Sequence, residues 1–152
     1  MPYVSSNYSS NPNARLGTWV CTRTSHLGPY EVAPVEHSHS PDFCGQCVSY
    51  VVQVCPTLPA RTIDWKRGAL VKGNAAIVPG TVIATFDAPE DTTKTPVYRG
   101  HAAIYVRQTA AGIEVYDQFV SGATPSPVSL RTIYWNGGSY ISNNANNFYV
   151  VE

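Results

Sequence analysis

Cys47 is the residue whose surroundings best suit nucleophilic chemistry. It follows Gly45 and Gln46 and precedes Val48–Val54, whose apolar spacing predicts a helix that ends before Pro56. A thiol at a helix N-terminus meets free backbone N–H groups and a partial positive charge. Both favour the thiolate, and the amides can stabilise an oxyanion. The position therefore predicts a nucleophile, although most isolated cysteines are structural or form half of a disulfide.

His101 is the histidine best placed to act as a base for that thiol, because it opens the apolar strand His101–Val106. If the hairpin from this strand into Ile113–Val120 turns near residue 110, position 101 faces 119 and position 103 faces 117. Asp117 then lies diagonally beside His101 on one sheet face and can fix the tautomer of its ring. In the alternative interpretation, Asp117 pairs with an arginine or caps a turn and His101 lies at the surface. A bulge would also undo this register.

The elements that position these residues are one early helix and a later antiparallel sheet. Residues 1–43 form an irregular, Pro- and Ser-rich lead-in that contains a short strand at Leu16–Cys21, and a second short helix is predicted at Pro59–Trp65. The polar insert Asp87–Val97 is predicted to be a mobile loop. Further strands are predicted at Ala76–Val78, Thr81–Phe86, His101–Val106, Ile113–Val120, Val128–Trp135 and Phe148–Val151. The pattern indicates a single α+β domain over residues 1–152.

The composition excludes several classes of function. Hydrophobic residues make up 43% of the chain, which rules out global disorder. Lys+Arg and Asp+Glu both number 10, so there is no electrostatic attraction to nucleic acid or to anionic lipid. No apolar run approaches the ~18–20 residues of a membrane span. The N-terminus lacks the basic and apolar regions of a signal peptide, so we expect a mature form or another export route.

The cysteines leave two interpretations open. In one, Cys44, Cys47, His37 and His39 bind zinc, although three of those ligands would share one short loop. In the other, Cys47 is free and the remaining three cysteines form at most one disulfide. A helix from residue 47 to 55 would hold Cys55 too far from Cys44 to bridge easily. We therefore expect Cys21 to pair with Cys44 or with Cys55, in an oxidising compartment.

Several stretches resemble one family of enzymes. The run Cys-Gly-Gln-Cys-Val-Ser-Tyr-Val at 44–51 resembles the start of the catalytic helix in CHAP and NlpC/P60 peptidases, and Gly-His-Ala-Ala-Ile-Tyr-Val at 100–106 resembles their histidine strand. The chain is most similar to the second family of type VI secretion amidase effectors and to their domesticated relatives in ticks. Further similar stretches are Trp65–Asn74, Pro79–Phe86 and Gly112–Phe119.

The resemblance implies a papain-like amidase that cuts peptidoglycan stem peptides, at the cross-link between diaminopimelate and D-alanine, without metal or organic cofactor. It implies Cys47 as nucleophile, His101 as base and Asp117 as orienting residue, with Gln46 near the oxyanion and Gln118 as a secondary contributor. It also implies a secreted or periplasm-delivered monomer with no nucleic-acid or membrane partner, and an immunity protein as partner if the chain is a bacterial effector. The extra cysteines and the long lead-in depart from the family pattern and favour a disulfide-stabilised secreted form.

Two further residues are candidates for substrate contact, and three other functions remain open. His39 flanks the approach to the nucleophile, and Tyr98 is a candidate for the groove wall. A muramidase would need two carboxylates about 5–9.5 Å apart. A non-catalytic cell-wall-binding module would have no use for a thiol at a helix head. A transglutaminase or acyltransferase on the same scaffold is the third alternative.

Overall fold

Within the described part of the chain, one six-stranded antiparallel sheet with a single α-helix against it forms the framework of the protein. The computed structural model describes residues 1–87 and 91–152. Helix α1 spans Cys47–Val54. The strands are β1 Arg67–Leu70, β2 Val82–Phe86, β3 Tyr98–Gln108, β4 Gly112–Phe119, β5 Ser126–Tyr134 and β6 Phe148–Val151, in the order β1-β6-β2-β3-β4-β5. The predicted α+β class is confirmed.

Helix α1 forms where the apolar spacing predicts it. Tyr50, Val51 and Val52 are fully buried, and the helix packs against β3 and β4. It ends at Val54 because Pro56 has no backbone N–H to continue the ladder. Its N-terminus has no side-chain cap, so the amides of the first turn are not satisfied by a capping side chain.

Both faces of the sheet are covered, which is why all five residues of β2 are buried. Alternate residues of β2 and β3 join two separate apolar clusters. One cluster packs beneath α1 and contains Val82 and Ile104, while the other contains Ile83 and Ala103 on the opposite face. The histidine strand is therefore held rigidly from both sides.

The β3–β4 register is the predicted one over the part that matters for the site. Ile104 pairs with Tyr116 and Tyr105 with Val115, which is the register that sets position 103 opposite 117. A bulge lies between Tyr105 and Arg107, on the side of the hairpin turn. Because the bulge is beyond these pairs, it does not disturb the diagonal relation of His101 to Asp117.

Several predicted elements are wrong in detail. Residues 76–78 form turn and coil instead of a strand, and Leu16–Cys21 contributes only an isolated bridge between Trp19 and Tyr30. The helix predicted at Pro59–Trp65 is one 3-10 turn, Thr62–Asp64. Each segment is too short or too rich in Pro and turn residues to satisfy a full hydrogen-bond ladder. Edge strand β1 was not predicted, because three of its four residues are exposed and carry no apolar alternation.

The insert between β2 and β3 is closed at its base by two hydrogen bonds. The backbone N–H of Asp87 donates to the carbonyl of Val97 (3.0 Å), and the Val97 N–H donates to the Asp87 side chain (2.8 Å). Residues 88–90 lie outside the described residues. The prediction that this insert is a mobile loop falls partly on them and stays a prediction.

Cys21 and Cys44 form a disulfide, and Cys47 and Cys55 are free. This confirms one of the two predicted pairings. The Cys44 sulfur is bonded to Cys21, so it is not available to the zinc site that was considered as an alternative. Among the described residues, none of the helices combines the length and apolar character needed to cross a bilayer.

Candidate active site

Cys47 is the first residue of α1 and its thiol lies half-buried in a groove. Gly45, with φ +82°, turns the chain sharply into the helix. A Cβ at that position would meet Val120 at 2.8 Å, so only glycine fits. The sulfur lies 3.3 Å from the hydroxyl of Tyr98. The thiol therefore sits at the positive end of a helix, with a hydroxyl beside it.

His101 bridges this thiol to a buried carboxylate. Its Nε2 lies 2.6 Å from Oδ2 of Asp117, which is completely buried, and residue His101 is only 6% exposed. Because Nε2 is engaged with the carboxylate, Nδ1 is the ring nitrogen left to face Cys47. A carboxylate that accepts from one ring nitrogen fixes the tautomer and orients the ring.

Charge and hydrogen bonding outweigh burial in setting the protonation of this pair. Burial acts to raise the pKa of Cys47, but the charge of His101, and hydrogen bonds from His101, Tyr98 and the Ala102 backbone, lower it from 9.0 to about 7. Burial acts to lower the pKa of His101, but Cys47 and Asp117 raise it from 6.5 to about 9. Each partner stabilises the charged form of the other, so the site favours a thiolate–imidazolium pair near neutral pH.

A bulge in β3 allows both Tyr98 and His101 to reach the same sulfur. Residues three apart on a regular strand point to opposite faces. Here the register with β2 shifts between Ala84 and Phe86, and Gly100 adopts φ +107°. A bulge of this kind re-aims side chains. The hydroxyl of Thr85 fixes the distortion, because it accepts from the His101 N–H at 2.9 Å and donates to the Arg99 carbonyl.

Arg131 on β5 is a site residue that the sequence analysis missed. Its Nε donates to both oxygens of Asp117 at 2.9 Å, and its Nη2 donates to Oδ2 at 2.6 Å. Burial acts to raise the pKa of Asp117, but hydrogen bonds and charge from His101 and Arg131 lower it. Pairing with histidine and pairing with arginine were considered as alternatives for this carboxylate, and Asp117 does both.

The signal for Arg131 was the same diagonal rule that identified Asp117. In the β4–β5 pair, Asp117 faces Ser129 and Val115 faces Arg131, so Asp117 and Arg131 are diagonal neighbours. With the β4–β5 register known, the same rule applied to this second pair of strands identifies Arg131. What the sequence did not specify was the register of this second hairpin.

The groove in front of Cys47 has a volume of about 1270 Å³ and is lined by both polar and apolar side chains. Exposed apolar side chains of Phe43, Ile63 and Tyr140 contribute to its walls. Its charged side chains are the arginines Arg61 and Arg131, and none of its described lining residues is an aspartate or a glutamate. Because Arg131 is already paired with Asp117, Arg61 is the exposed cation of the walls.

Of the other predicted site residues, three line the groove and one lies behind it. His39, Gln46 and Tyr98 are wall residues, and Nε2 of Gln46 donates to the Ser38 carbonyl at 2.7 Å. Gln118 is fully buried. Its side chain accepts from the Val20 N–H and donates to the carbonyls of Val20 and Gln46, all at 2.8 Å. Gln118 thus ties the start of α1 to the disulfide-bearing lead-in and to β4.

The fold and the site together define a class, the papain-like cysteine amidases: a thiol at the head of a helix, facing a histidine strand of an antiparallel sheet. A family model described as domesticated amidase effector 2 matches residues 4–151. The chain belongs to this family.

Relatives and a solved structure agree with the assignment. The chain is 37% identical over 109 residues to "Domesticated amidase effector 2" of Ixodes scapularis, covering 70% of each chain. It is 37% identical over 118 residues to "Type VI secretion amidase effector 2 protein" of Salmonella typhi, covering 70% of this chain and 84% of the relative. A solved structure of a type 6 secretion amidase effector 2 aligns with a TM-score of 0.53 and 34% identity, over 70% of this chain and 80% of its own.

These matches confirm three predictions made from the sequence: the resemblance to the type VI amidase effectors of the second family, the papain-like α+β fold and the enzyme class of amidase. The roles of individual residues do not follow from the matches.

Proposed function

We propose that the protein is an antibacterial cysteine amidase that hydrolyses amide bonds in the stem peptides of bacterial peptidoglycan. The bond we propose is the cross-link between diaminopimelate and D-alanine. Cys47 is the nucleophile, His101 the general base and acid, and Asp117 the residue that orients His101. The whole chain serves as one catalytic domain, and it works without metal or organic cofactor.

The observation that supports this proposal most is the continuous path from thiol to buried carboxylate. Cys47 heads the helix within hydrogen-bonding reach of His101, whose Nε2 lies 2.6 Å from Oδ2 of Asp117. The lowered pKa of Cys47, about 7, makes a large thiolate fraction available at neutral pH. A structural cysteine needs neither the open groove nor the imidazole partner.

Acylation begins with the thiolate–imidazolium pair. The Cys47 sulfur attacks the carbonyl carbon of the scissile amide, and a tetrahedral oxyanion forms. The His101 imidazolium gives its proton to the leaving nitrogen, the C–N bond breaks, and an amine departs while an acyl-thioester remains on Cys47. Asp117 keeps the ring in place throughout and stabilises its charged form.

Deacylation reverses the proton path with water in place of the amine. His101, now neutral, removes a proton from a water molecule that attacks the thioester carbon. The second tetrahedral intermediate collapses, the C–S bond breaks, and the peptide acid leaves while the thiolate–imidazolium pair is restored. Atoms and charge balance with water as the single co-substrate.

The oxyanion and the flanking substrate are held by groups around the sulfur. We assign the oxyanion to the amides at the head of α1, which no side chain caps. We assign Gln46 and Tyr98 to the same region, since Tyr98 Oη is 3.3 Å from the sulfur and Gln46 lines the groove. His39 contacts substrate from the lead-in side, and Gln118 contributes indirectly because it holds the Gln46 carbonyl at 2.8 Å.

The groove favours an amidase over a muramidase. A glycan-cleaving site needs two carboxylates facing the substrate. No aspartate or glutamate lines the groove among the residues that the structure describes, and Asp117 is completely buried behind His101. Stem peptides carry free carboxylates, and Arg61 is the exposed cation of the groove wall that we expect to pair with one.

We further propose that the protein acts outside the cell that makes it, either as a secreted monomer or after delivery into the periplasm of a target bacterium. The Cys21–Cys44 disulfide suits an oxidising compartment. An immunity protein that blocks the groove is the expected protein partner if the chain is a bacterial effector, and neither nucleic acid nor membrane is an expected partner.

The decisive experiment is digestion of purified sacculi, followed by identification of muropeptides by mass spectrometry. The wild-type protein should convert cross-linked dimers to monomers with new free amino groups. Cys47→Ala should yield none of these products and keep the wild-type melting temperature. Cys55→Ala is the matched control, because Cys55 is the other free cysteine but is buried in the core; it should retain turnover.

Full activity of the Cys47→Ala protein would refute the assignment of the nucleophile. New reducing sugar ends in place of new amino groups would establish a muramidase. Binding to sacculi without any turnover by the wild-type protein would establish a binding module.

A further inference from the structure

Arg131 lies directly behind the proposed triad, at the end of a diagonal row that crosses three strands. His101 on β3, Asp117 on β4 and Arg131 on β5 follow one another on one face of the sheet. The guanidinium engages both oxygens of Asp117 through Nε and Nη2, and its Nη2 is 3.5 Å from Nε2 of His101. A single carboxylate is thus shared between a cation and the imidazole.

The guanidinium is held in a fixed orientation. Its carbon lies 5.0 Å from the centre of the Phe119 ring, and Phe119 also presents an edge to His101 at 6.1 Å. The side chain of Arg131 is 29% exposed, so one part of it meets the groove while the fork on Asp117 is inside. Planar, two-point geometry of this kind is available to arginine and not to lysine.

We propose that Arg131 is a positioning residue of the reaction: it clamps Asp117 in the one orientation that points Oδ2 at Nε2 of His101, so that Nδ1 faces the Cys47 sulfur. The proposal rests on the proposed roles of Cys47, His101 and Asp117. Without the clamp, Asp117 stays beside His101 but samples several orientations, so the imidazole is aimed less precisely at the Cys47 sulfur.

Arg131 also balances the charge of the row. Ionisable side chains reach the His101 ring from three neighbouring elements: Cys47 from α1, Asp117 from β4 and Arg131 from β5. The cation opposes protonation of the ring, while the carboxylate that it holds favours it. Removal of the positive charge of Arg131 should therefore raise the pKa of the His101 imidazolium.

The test uses three variants of the full-length protein. Arg131→Lys keeps the charge but removes the fork, and Arg131→Gln removes both. Arg107→Lys is the matched control, since Arg107 makes a similar fork to Glu114 across the exposed part of β3 and β4, away from the groove. For each variant we would measure kcat and KM on cross-linked muropeptide, and the pH dependence of Cys47 alkylation by iodoacetamide.

Both variants of Arg131 should lose kcat by about 10–100-fold, as is usual for residues that orient a functional group, with a smaller change in KM. In Arg131→Gln, the pH at which the thiolate forms should move down and the alkaline limb of kcat should move up. In Arg131→Lys, the pH of thiolate formation and the pH of the alkaline limb should stay near the wild-type values while kcat remains low. Arg107→Lys should match wild type in every measurement.

Three outcomes would overturn the proposal. The first is wild-type kcat in Arg131→Lys, which would show that a simple charge is enough. The second is a loss of kcat that is explained by a smaller folded fraction of the variants, together with a pH profile of Arg131→Gln that is the same as that of wild type. The third is a rise in KM alone, which would mark a substrate contact. Activity of Cys47→Ala in the same assay would instead show that the proposed function has failed.

Discussion

Removal of Asp117 should do more than withdraw an orienting group, because it leaves the Arg131 cation beside the His101 base without a counter-ion. The Nη2 of Arg131 lies 3.5 Å from Nε2 of His101, and in Asp117→Ala no carboxylate neutralises it. The imidazolium, whose pKa Asp117 helps to raise to about 9, then meets a like charge. We expect the neutral imidazole and the neutral thiol to take over.

The size of the effect follows from Coulomb's law. Two like charges about 4 Å apart repel by about 4 kcal/mol at an effective dielectric constant of about 20. Since the Arg131 side chain is 29% exposed and can turn partly toward solvent, about half of that, ~2 kcal/mol, is a reasonable expectation. This lowers the pKa of His101 by about 1.5 from about 9, which is roughly a fourfold loss of the imidazolium, and of the thiolate paired with it, at pH 8.

The assay is the rate of Cys47 alkylation by iodoacetamide against pH, with the site of modification located by mass spectrometry. Asp117→Ala should react roughly fourfold more slowly than wild type at pH 8. The double variant Asp117→Ala/Arg131→Gln should recover most of that loss, because it removes the stranded cation. It should not recover turnover, because nothing orients the ring.

A double variant that reacts no faster than Asp117→Ala would refute this electrostatic argument. So would an Asp117→Ala protein that alkylates at the wild-type rate. Melting temperatures of both variants serve as the control for unfolding.

Three further predictions concern pH, the disulfide and the bulge. As pH rises, kcat/KM should increase as the thiolate of Cys47 forms near pH 7 and should fall as the imidazolium of His101 is lost near pH 9, which a pH–rate profile on soluble muropeptide would test. Replacement of both Cys21 and Cys44 by alanine should lower the free energy of unfolding by about 3 kcal/mol, the entropy of closing a loop with a sequence separation of 23, and urea titration would measure it. Gly100→Ala should cost about 1–3 kcal/mol of stability, because φ is +107° and the new Cβ would meet Thr85 Oγ1 at 2.5 Å; it should also lower kcat, and unchanged kcat in a fully folded variant would contradict the role given to the bulge.

The reactive part of the site could be predicted because it depends on short-range rules. The apolar residues of the two turns after Cys47 recur on one face, and Pro56 ends the helix. The position of the thiol at the positive end of a helix could therefore be predicted from the sequence. His101 and Asp117 could be placed together because a strand alternates with a period of two and one tight hairpin sets the register. Each of these inferences spans fewer than about 20 residues.

The rest of the site needed contacts between distant segments. Tyr98 reaches Cys47 only because a bulge at Gly100 turns its side chain toward the helix. The sequence analysis did not predict that bulge. Arg131 depends on the register of a second hairpin. The choice of Cys44 as the partner of Cys21 depends on how the lead-in folds against β4 through Gln118.

By itself, the sequence determined the helix with its terminal thiol, the histidine strand and the diagonal carboxylate, since local propensity and periodicity decide those. The tertiary structure decided the order of the strands, with β6 inserted between β1 and β2, and the fourth member of the polar row, Arg131. The physical reason is that the alternation of apolar and polar residues shows which face of a strand is buried but does not show which strand pairs with it. Pairing partners are selected by the packing of the whole sheet, after the entropy of closing the intervening loops has been overcome.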